Sequence, residues 1–210
     1  MNKSFFAMIF FFISSFFNFN TNIFLEDNIY KEVSKSICNI SEYGFRVEYT
    51  VNNKILDEFK LYEPYLNKYD MNFSENENFL SAEWENNTLF INEENGLLRV
   101  QINLISKEYI DIKSLKSKFD NISQDKRNDI KYYSYIKGDI ESKKSLELIE
   151  NEVIELFNKE RVKDIQKINL KGGTTGIITL NDGYQFNYSI MTYEEDRKLI
   201  LGTPIIFTTY

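Results

Sequence analysis

The C-terminal part of the chain carries the pattern that most restricts its fold. A segment from Ser142 to about Val162 repeats apolar residues at helical spacing and predicts one amphipathic helix. Four segments that alternate apolar and polar residues follow it and predict strands at 165–171, 175–180, 184–193 and 198–210, the last with a break near Pro204. A helix with one apolar stripe and a sheet with one apolar face bury each other, so this part predicts a two-layer α/β sandwich.

Residues 26–128 predict the same architecture from less regular patterns. The expected elements are a helix at 26–40, a chain break at Gly44, a strand at 45–51, a helical segment at 55–68, a loop at 72–78, strands at 79–85, 88–92 and 97–106, and a short helix that Asp111 caps and that reaches about Asn121. The segment 55–68 should break at Glu63, because a residue before proline is pushed out of the helical region. Asn95-Gly96 favours a tight hairpin, because both residues tolerate positive φ.

The predicted fold class is therefore α+β, with helices packed on antiparallel sheets. Residues 130–137 predict a tyrosine-rich strand that Gly138 closes, ahead of the C-terminal helix. The polar run 123–128 is the expected boundary between halves. It separates an N-terminal α+β half, residues 26–128, from a C-terminal half, residues 129–210, with the element order β-α-β-β-β-β.

The N-terminus has the layout of a secretory signal: a charged start, an apolar block and a polar exit. Lys3 precedes the apolar run 5–17, and the polar residues Asn18, Asn20, Thr21 and Asn22 follow it. As a helix the block would be about 20 Å long, which is short for the ~30 Å hydrocarbon core of a bilayer. Residues 1–25 are predicted to be a signal peptide, or an N-terminal membrane anchor if they are retained, and the protein to be extracytoplasmic, either secreted or associated with the cell envelope.

The charge balance disfavours anionic partners. The formal net charge is −7, and because Lys3 is the only charge within residues 1–25, the remainder is more negative by one. Nucleic-acid binding rests on Lys and Arg that displace counterions from phosphates, so no nucleic-acid partner is expected. The same charge disfavours adsorption to anionic lipid. Membrane contact is expected only through residues 1–25, and only if they are not cleaved.

The absence of histidine narrows the possible chemistry. Histidine is the commonest general base near neutral pH and the commonest transition-metal ligand. Ser-His-Asp and Cys-His sites are impossible within this chain, and no catalytic residue, metal site or cofactor is predicted. Cys38, the only cysteine, cannot form an internal disulfide. It follows the apolar stripe of Ile29, Val33 and Ile37 and is predicted to be a buried apolar residue rather than a reactive thiol.

Several polar groups could carry chemistry, and each has a structural alternative. The Gly-rich loop 171–176 could cradle an anion, but it lacks the P-loop spacing and is predicted to be a hairpin connection. An acidic helix face could hold a cation or form an acid/base pair, but it is predicted to be solvated; it carries Glu147, Glu150 and Glu155. Other acids are predicted to be turn residues, namely Asp182 and Glu194 to Asp196.

Aromatic residues supply two further candidates for a binding site. Tyr184, Phe186 and Tyr188 alternate along one strand and could stack against sugars. The favoured interpretation is the core face of a strand beneath the helix, with the intervening residues facing outward; these are Asn187, Ser189 and Met191. Trp84 is the best single anchor for a ligand or partner, although core packing is the favoured role.

The C-terminal residues 200–210 read ILGTPIIFTTY. This ending resembles that of the YwmB family of exported proteins from Gram-positive bacteria, whose members often end in a Gly-Thr-Pro-Ile-Ile strand closed by an aromatic residue. The segments 135–138 and 182–188 correspond to a family strand ending in glycine and to a hairpin before the penultimate strand. The resemblance implies a fold like that of the TATA-box-binding protein. The family has no established activity, so no site residues carry over.

Three functions remain open at this point. The first is a non-enzymatic exported protein that binds or scaffolds an envelope protein or a wall component. The second is a carboxylate-based hydrolase of cell-wall polysaccharide, which needs two acids about 5–5.5 Å or about 6.5–9.5 Å apart across a cleft. The third is a structural or regulatory module that pairs through an exposed sheet edge.

Overall fold

The computed structural model describes residues 23–66, 68–122, 127–140, 144–157, 161–193 and 196–208. The protein is α+β, and the described chain forms two compact units. The central unit is Ile40–Gly138, and the terminal unit combines residues 23–39 with residues 139–208. The predicted leader, 5–17, lies outside the described residues. Within the described ranges, no helix combines the length and the apolar composition that a membrane span requires.

Fifteen helices and strands follow one another along the described chain. They are α1 (Ile23–Ser36), β1 (Asn39–Val51), α2 (Ile55–Phe59), α3 (Glu63–Leu66), β2 (Asn72–Asn76), β3 (Phe79–Trp84), β4 (Asn87–Glu94), β5 (Leu97–Ser106), α4 (Ile112–Ile122), β6 (Arg127–Asp139), α5 (Leu146–Glu155), β7 (Val162–Leu170), β8 (Gly173–Leu180), β9 (Gln185–Tyr193) and β10 (Asp196–Thr203). The α+β class predicted from the sequence is confirmed.

The central unit is an antiparallel sheet in the order β2-β3-β4-β5-β1-β6. One face is apolar: Val47, Tyr49 and Val51 alternate inward on β1, and each lies opposite a buried residue of β5. Helices cover this side, since the ring of Phe45 stacks on Phe119 of α4 at a centroid distance of 6.0 Å. We call this side the helix face. The residues between these apolar positions point to the other side, which we call the opposite face.

The terminal unit has the strand order β10-β9-β8-β7, with each pair antiparallel. Helix α5 packs on this sheet. Phe157, which lies two residues after the end of the helix, contacts Phe186 edge-on, with 4.7 Å between the ring centroids. Tyr184, Phe186 and Tyr188 are all buried, which confirms the predicted core face of the strand. Asn187 and Ser189 are buried as well, so the prediction that they face solvent is wrong. Asn187 donates a hydrogen bond to the carbonyl oxygen of Pro204.

Gly44 lies within β1, and the predicted chain break there is wrong. It pairs with Ile105 in the ladder. A Cβ atom at this position would overlap the ring of Tyr135, which is buried directly over it. The glycine is therefore required for a close side-chain approach and not for a turn. Strand β1 starts at Asn39 as a result, so the helix predicted at 26–40 ends at Ser36.

Residues 72–78 were expected to be a loop, but Asn72–Asn76 form strand β2. Every residue of β2 is exposed, and it pairs on one side only, with β3. An outer strand of this kind has no buried alternation for a sequence pattern to reveal. The three strands predicted at 79–85, 88–92 and 97–106 are confirmed within two residues at each end.

The turns and helix ends follow local chemistry closely. Asn95 and Gly96 both have positive φ, at 53° and 79°, as the predicted tight hairpin requires. The predicted interruption of segment 55–68 is confirmed, but it falls before Glu63, which begins α3. The helix predicted from Ser142 to Val162 is shorter, because Ser145 caps α5 and Val162 begins β7. The strand predicted to reach residue 210 ends at Thr203.

Candidate functional site

A groove of about 660 Å³ lies in the central unit, between α3 and α4 and above the helix face of the sheet. Its floor is apolar and comes from the strands, with Leu89 and Ile102 among the lining residues. Its walls are aromatic and aliphatic side chains of the two helices and their flanking loops. The volume lies within the ~300–1,000 Å³ typical of ligand pockets.

Local sequence explains where the helices of the two walls begin. Pro64 occupies the second position of α3, where a missing backbone N–H is tolerated. Asp111 precedes α4, and its Oδ1 accepts a hydrogen bond from the backbone N–H of Ser114 at 2.9 Å. The predicted capping role of Asp111 is therefore confirmed. Between the helices, strand β3 ends at Trp84, and Glu85 adopts a positive φ of 51° in the following turn.

Trp84 is a core residue, as the sequence favoured, and it also lines the groove. Its side chain is only 5% exposed and belongs to the helix face of the sheet. Its ring lies beside that of Tyr69, at a centroid distance of 6.1 Å. Tyr65, also in the lining, is 58% exposed and stands at the entrance. The tyrosines of this wall carry no periodic signal, so the sequence pattern did not single them out.

A buried carboxylate holds one of these walls in place. Tyr62 lines the groove, and its hydroxyl is hydrogen-bonded to the hydroxyl of Tyr49. The Tyr49 hydroxyl also donates to Oε1 of Glu58 at 2.5 Å, and Asn53 donates to the other carboxylate oxygen at 3.1 Å. All of Tyr49, Glu58 and Tyr62 are buried. This network fixes the ring of Tyr62, because a buried polar group is costly to leave without its partners.

The rim of the groove carries charges of both signs. Lys68 and Lys118 supply the positive charges, and Glu85 and Asp111 the negative ones. The ammonium of Lys68 also lies 4.8 Å from the centroid of the Tyr69 ring, within the range of a cation–π contact. In the part of the chain that the structure describes, no group of three or more Cys, Asp or Glu residues could hold a metal ion.

The predicted acidic helix face is only partly solvated. Glu147 and Glu155 are exposed, as expected, but Glu150 is 3% exposed, so the prediction for this residue is wrong. Glu150 accepts hydrogen bonds from Tyr188 at 2.5 Å, from Thr174 at 3.1 Å and from Lys167. Burial raises the pKa of Glu150, and the three donors outweigh it, so the pKa lies below its ordinary value. These hydrogen bonds link α5 to β7, β8 and β9. The Glu150 carboxylate is therefore already engaged and does not form a solvent-accessible acid pair with Glu147.

The Gly-rich loop 171–176 is the hairpin connection that the sequence favoured. Gly172 has a φ of 89°, and strand β8 begins at Gly173. The hydroxyl of Thr174 is buried and donates to Glu150, so the feature that suggested an anion site is occupied by a carboxylate. Asp182 is a turn residue as predicted, since its Oδ1 accepts from the N–H of Tyr184 at 2.9 Å. Residues 194 and 195 lie outside the described ranges.

Cys38 is buried in the terminal unit, which confirms the prediction of an apolar role. Burial raises the pKa of its thiol to about 12, and the negative charge of Asp139 adds to the effect. A thiol of this kind is almost entirely protonated near neutral pH and is a poor nucleophile.

Comparison of the chain with known protein families and with curated proteins found no match. The assignment of a function therefore rests on the geometry of the described residues. Among them, the groove of the central unit is the feature that combines size, an apolar lining and a polar rim. These are the properties shared by most ligand sites.

Proposed function

We propose that this chain is an exported, non-enzymatic binding protein of the cell envelope. Its ligand is an amphipathic segment of another envelope protein, which inserts apolar side chains into the groove between α3 and α4. The groove itself is the observation that carries this proposal. An apolar floor takes apolar side chains, and a rim with two lysines and two acids complements the mixed charges of a peptide's outer face.

The aromatic walls favour protein recognition in particular. Tyr and Trp are enriched among the residues that dominate binding energy at protein interfaces, and they act best in desolvated pockets. Trp84, Tyr65 and Tyr69 all contribute to the lining. The hydrogen bonds of Tyr62 hold its ring in place before a partner binds. Binding therefore costs less side-chain conformational entropy, which favours affinity.

The alternative function, a carboxylate-based hydrolase of wall polysaccharide, has less support. The acids of the groove lining are Glu85 and Asp111. The Oδ1 atom of Asp111 is hydrogen-bonded to a backbone N–H at the start of α4. This bond engages the Asp111 carboxylate as the cap of α4, so one of the two acids already has a structural partner. Release of reducing ends from purified wall polysaccharide, abolished in Glu85→Gln and Asp111→Asn, would establish the hydrolase instead.

Pairing through the β7 edge, one form of the third function, is also disfavoured. Strand β7 has one neighbouring strand, and its outer side is exposed. It carries Lys163 and Lys167, and its pairing register shifts between Val162 and Asp164. Lysines and bulges on an outer strand discourage pairing with a second chain.

The proposal also covers the protein family of the chain and its location outside the cytoplasm. A strand, then helix, then a four-strand meander occurs from β1 to β5, with two short helices, and again from β6 to β10, with one helix, which supports a YwmB-like chain with a fold like the TATA-box-binding protein. The apolar run 5–17 supports export, and the net charge of −7 argues against a nucleic-acid partner. Membrane contact is assigned to residues 1–25 alone, in the case that they are retained.

Photo-crosslinking in the native envelope tests the proposed function. A photoreactive phenylalanine analogue at Tyr65, in the groove, should give a discrete protein adduct, whereas the same probe at Tyr193, in the terminal unit and 41% exposed, should not. Tyr69→Ala should reduce the adduct from position 65, because it removes the ring beside Trp84. Tyr109→Ala is the matched control, since Tyr109 is part-exposed but outside the lining. Equal adducts from positions 65 and 193 would contradict the proposal.

A further inference from the structure

The opposite face of the central unit presents an ordered array of side chains. The strand register places them in three rows across β1, β5, β4 and β3: Thr50, Arg99, Asn92 and Phe79 in the first, Glu48, Gln101, Phe90 and Ser81 in the second, and Arg46, Asn103, Thr88 and Glu83 in the third. Directly opposed residues on neighbouring strands lie about 4.5–5.5 Å apart. The array is therefore one continuous surface and not a set of separate side chains.

Two phenylalanines stand on this otherwise polar surface. Phe79 and Phe90 are both half-buried, and their ring centroids are 6.3 Å apart. Their neighbours along the strands on the helix face, Leu80 and Ile91, are almost completely buried. The core of the unit is thus built without the two rings. A pair of partly exposed aromatic rings amid polar residues indicates a contact surface.

A hydrogen-bonded chain of amides and hydroxyls crosses the same surface. Asn103 accepts from Nε of Arg46 at 2.6 Å through Oδ1 and donates to Oγ1 of Thr88 at 2.7 Å. Gln101 donates to the same Oδ1 atom at 3.5 Å. These contacts hold the side chains in one arrangement before any ligand arrives, which lowers the ordering cost of binding.

The two arginines of this surface are paired with carboxylates, and the exposed Glu83 lies at the end of the third row. Arg46 lies 3.4 Å and Arg99 3.8 Å from the carboxylate of Glu48, and Arg99 also lies 4.0 Å from Glu94. Both guanidinium groups therefore already have carboxylate partners. A polyanion gains little from such a surface, and the chain as a whole carries −7. Away from Glu83, what the surface offers a ligand is neutral: aromatic rings, amides and hydroxyls.

We infer that the opposite face of the central unit binds a neutral glycan chain. The apolar C–H face of a sugar ring packs on Phe79 and Phe90, and its hydroxyl groups exchange hydrogen bonds with Gln101, Asn92 and Thr88. A sugar chain supplies both apolar ring faces and neutral donors and acceptors, which match what this surface offers. The glycan surface is separate from the groove and does not rest on the function proposed for it.

Calorimetric titration with neutral oligosaccharides tests the inference. The full chain is kept soluble in a zwitterionic detergent without a sugar headgroup and titrated with millimolar chitotetraose, cellotetraose, xylotetraose and mannotetraose. At least one should bind, and Phe90→Ala and Gln101→Ala should each weaken it by about tenfold, as loss of about 1.4 kcal/mol requires. Phe73→Ala is the matched control, because Phe73 is 53% exposed but lies on the helix face of β2 and contacts Phe59.

Each outcome of this experiment decides for or against the glycan site. Unchanged thermal unfolding of the two variants would show that weaker binding comes from lost contacts. Failure of all four oligosaccharides to bind would overturn the inference. Binding that survives both variants but is lost in Tyr69→Ala would move the glycan to the groove and overturn it as well. Preferential binding of a polyphosphate would identify an anionic ligand instead of a neutral one, and it would also overturn the inference.

Discussion

The hydroxyl of Tyr188 on β9 donates a hydrogen bond of 2.5 Å to Oε1 of Glu150 on α5. The two residues are 38 positions apart in the chain, and both are buried. Burial raises the pKa of the Tyr188 phenol above its ordinary value, and the neighbouring carboxylate raises it further. The pKa of Glu150 shifts the other way, so the pair stays as a neutral donor and a charged acceptor over a wide pH range.

Tyr188→Phe should destabilise the terminal unit by about 1.5–3 kcal/mol, the usual contribution of a hydrogen bond to a charged group. The ring is preserved, so the loss comes from the missing donor rather than from a cavity. Equilibrium unfolding in urea measures the change. Tyr193→Phe is the control, since Tyr193 is 41% exposed, and it should change the free energy of unfolding by less than about 0.5 kcal/mol.

Glu150→Gln should lower stability in a pH-dependent manner. Because the folded-state pKa of Glu150 is depressed, its contribution is fully present above the unfolded value, near 4.5, and is lost as pH falls through the folded value. The difference in unfolding free energy between wild type and variant should thus be largest near neutral pH and shrink in acid. A difference that grows as pH falls would contradict the assignment. Glu147→Gln, at an exposed position of the same helix, is the matched control.

Gly44→Ala should destabilise the central unit by about 1–3 kcal/mol, because the added methyl group overlaps the Tyr135 ring. Tyr135 is buried and donates to Glu42 at 2.6 Å, so the ring is not free to move aside. Thermal unfolding of Gly44→Ala, Tyr135→Ala and the double variant forms the test. The double variant should be more stable than the sum of the two single losses implies. Simple additivity would show that the two positions do not interact.

Cys38 should react slowly with thiol reagents in the native protein. Its thiol is buried, and its pKa is raised to about 12, so little thiolate is present at pH 8. Absorbance-based titration with a disulfide reagent measures the rate. The thiol should react rapidly and completely once the protein is unfolded in guanidinium chloride. Equal rates in the native and unfolded protein would place Cys38 at the surface.

Asp111→Ala should cost about 1 kcal/mol, the usual loss for an N-cap residue. The variant leaves the backbone N–H of Ser114 without its side-chain acceptor at the start of α4. Asp111→Asn keeps an acceptor oxygen and should retain most of the stability. Chemical denaturation compares the two variants. Equal losses in both would mean that charge, rather than capping, is what Asp111 contributes.

Buried glutamates show where sequence reasoning reached its limit. In the described chain, Glu26 of α1 binds Tyr184, Glu58 of α2 binds Tyr49, and Glu150 of α5 binds Tyr188. A glutamate on an amphipathic helix matches a solvated position in any local pattern. It is buried here because a tyrosine that is 9, 38 or 158 positions away hydrogen-bonds to its carboxyl group, and a polar group is buried at little cost only with such a partner.

The groove was predictable only in part. Trp84 stood out as a single large aromatic residue, and Asp111 as a helix cap, and both line the groove. Tyr65 and Tyr69 gave no signal, because Tyr65 lies in a helix of one turn and Tyr69 just after it, so neither belongs to a regular apolar stripe. The wall they form depends on where α3 lies relative to α4, and no property of either segment specifies that distance.

Local chemistry determined the elements of this protein, and long-range contacts determined its sites. Alternating residues and turn pairs such as Asn95-Gly96 sufficed to predict most strands and the α+β class, because strand faces and tight turns depend on neighbouring residues. Only the tertiary structure placed α1 with the C-terminal strands, through Glu26 and Tyr184, which are 158 positions apart. The burial of Glu150, the position of Gly44 and the groove were decided in the same way, since each depends on packing against a remote partner.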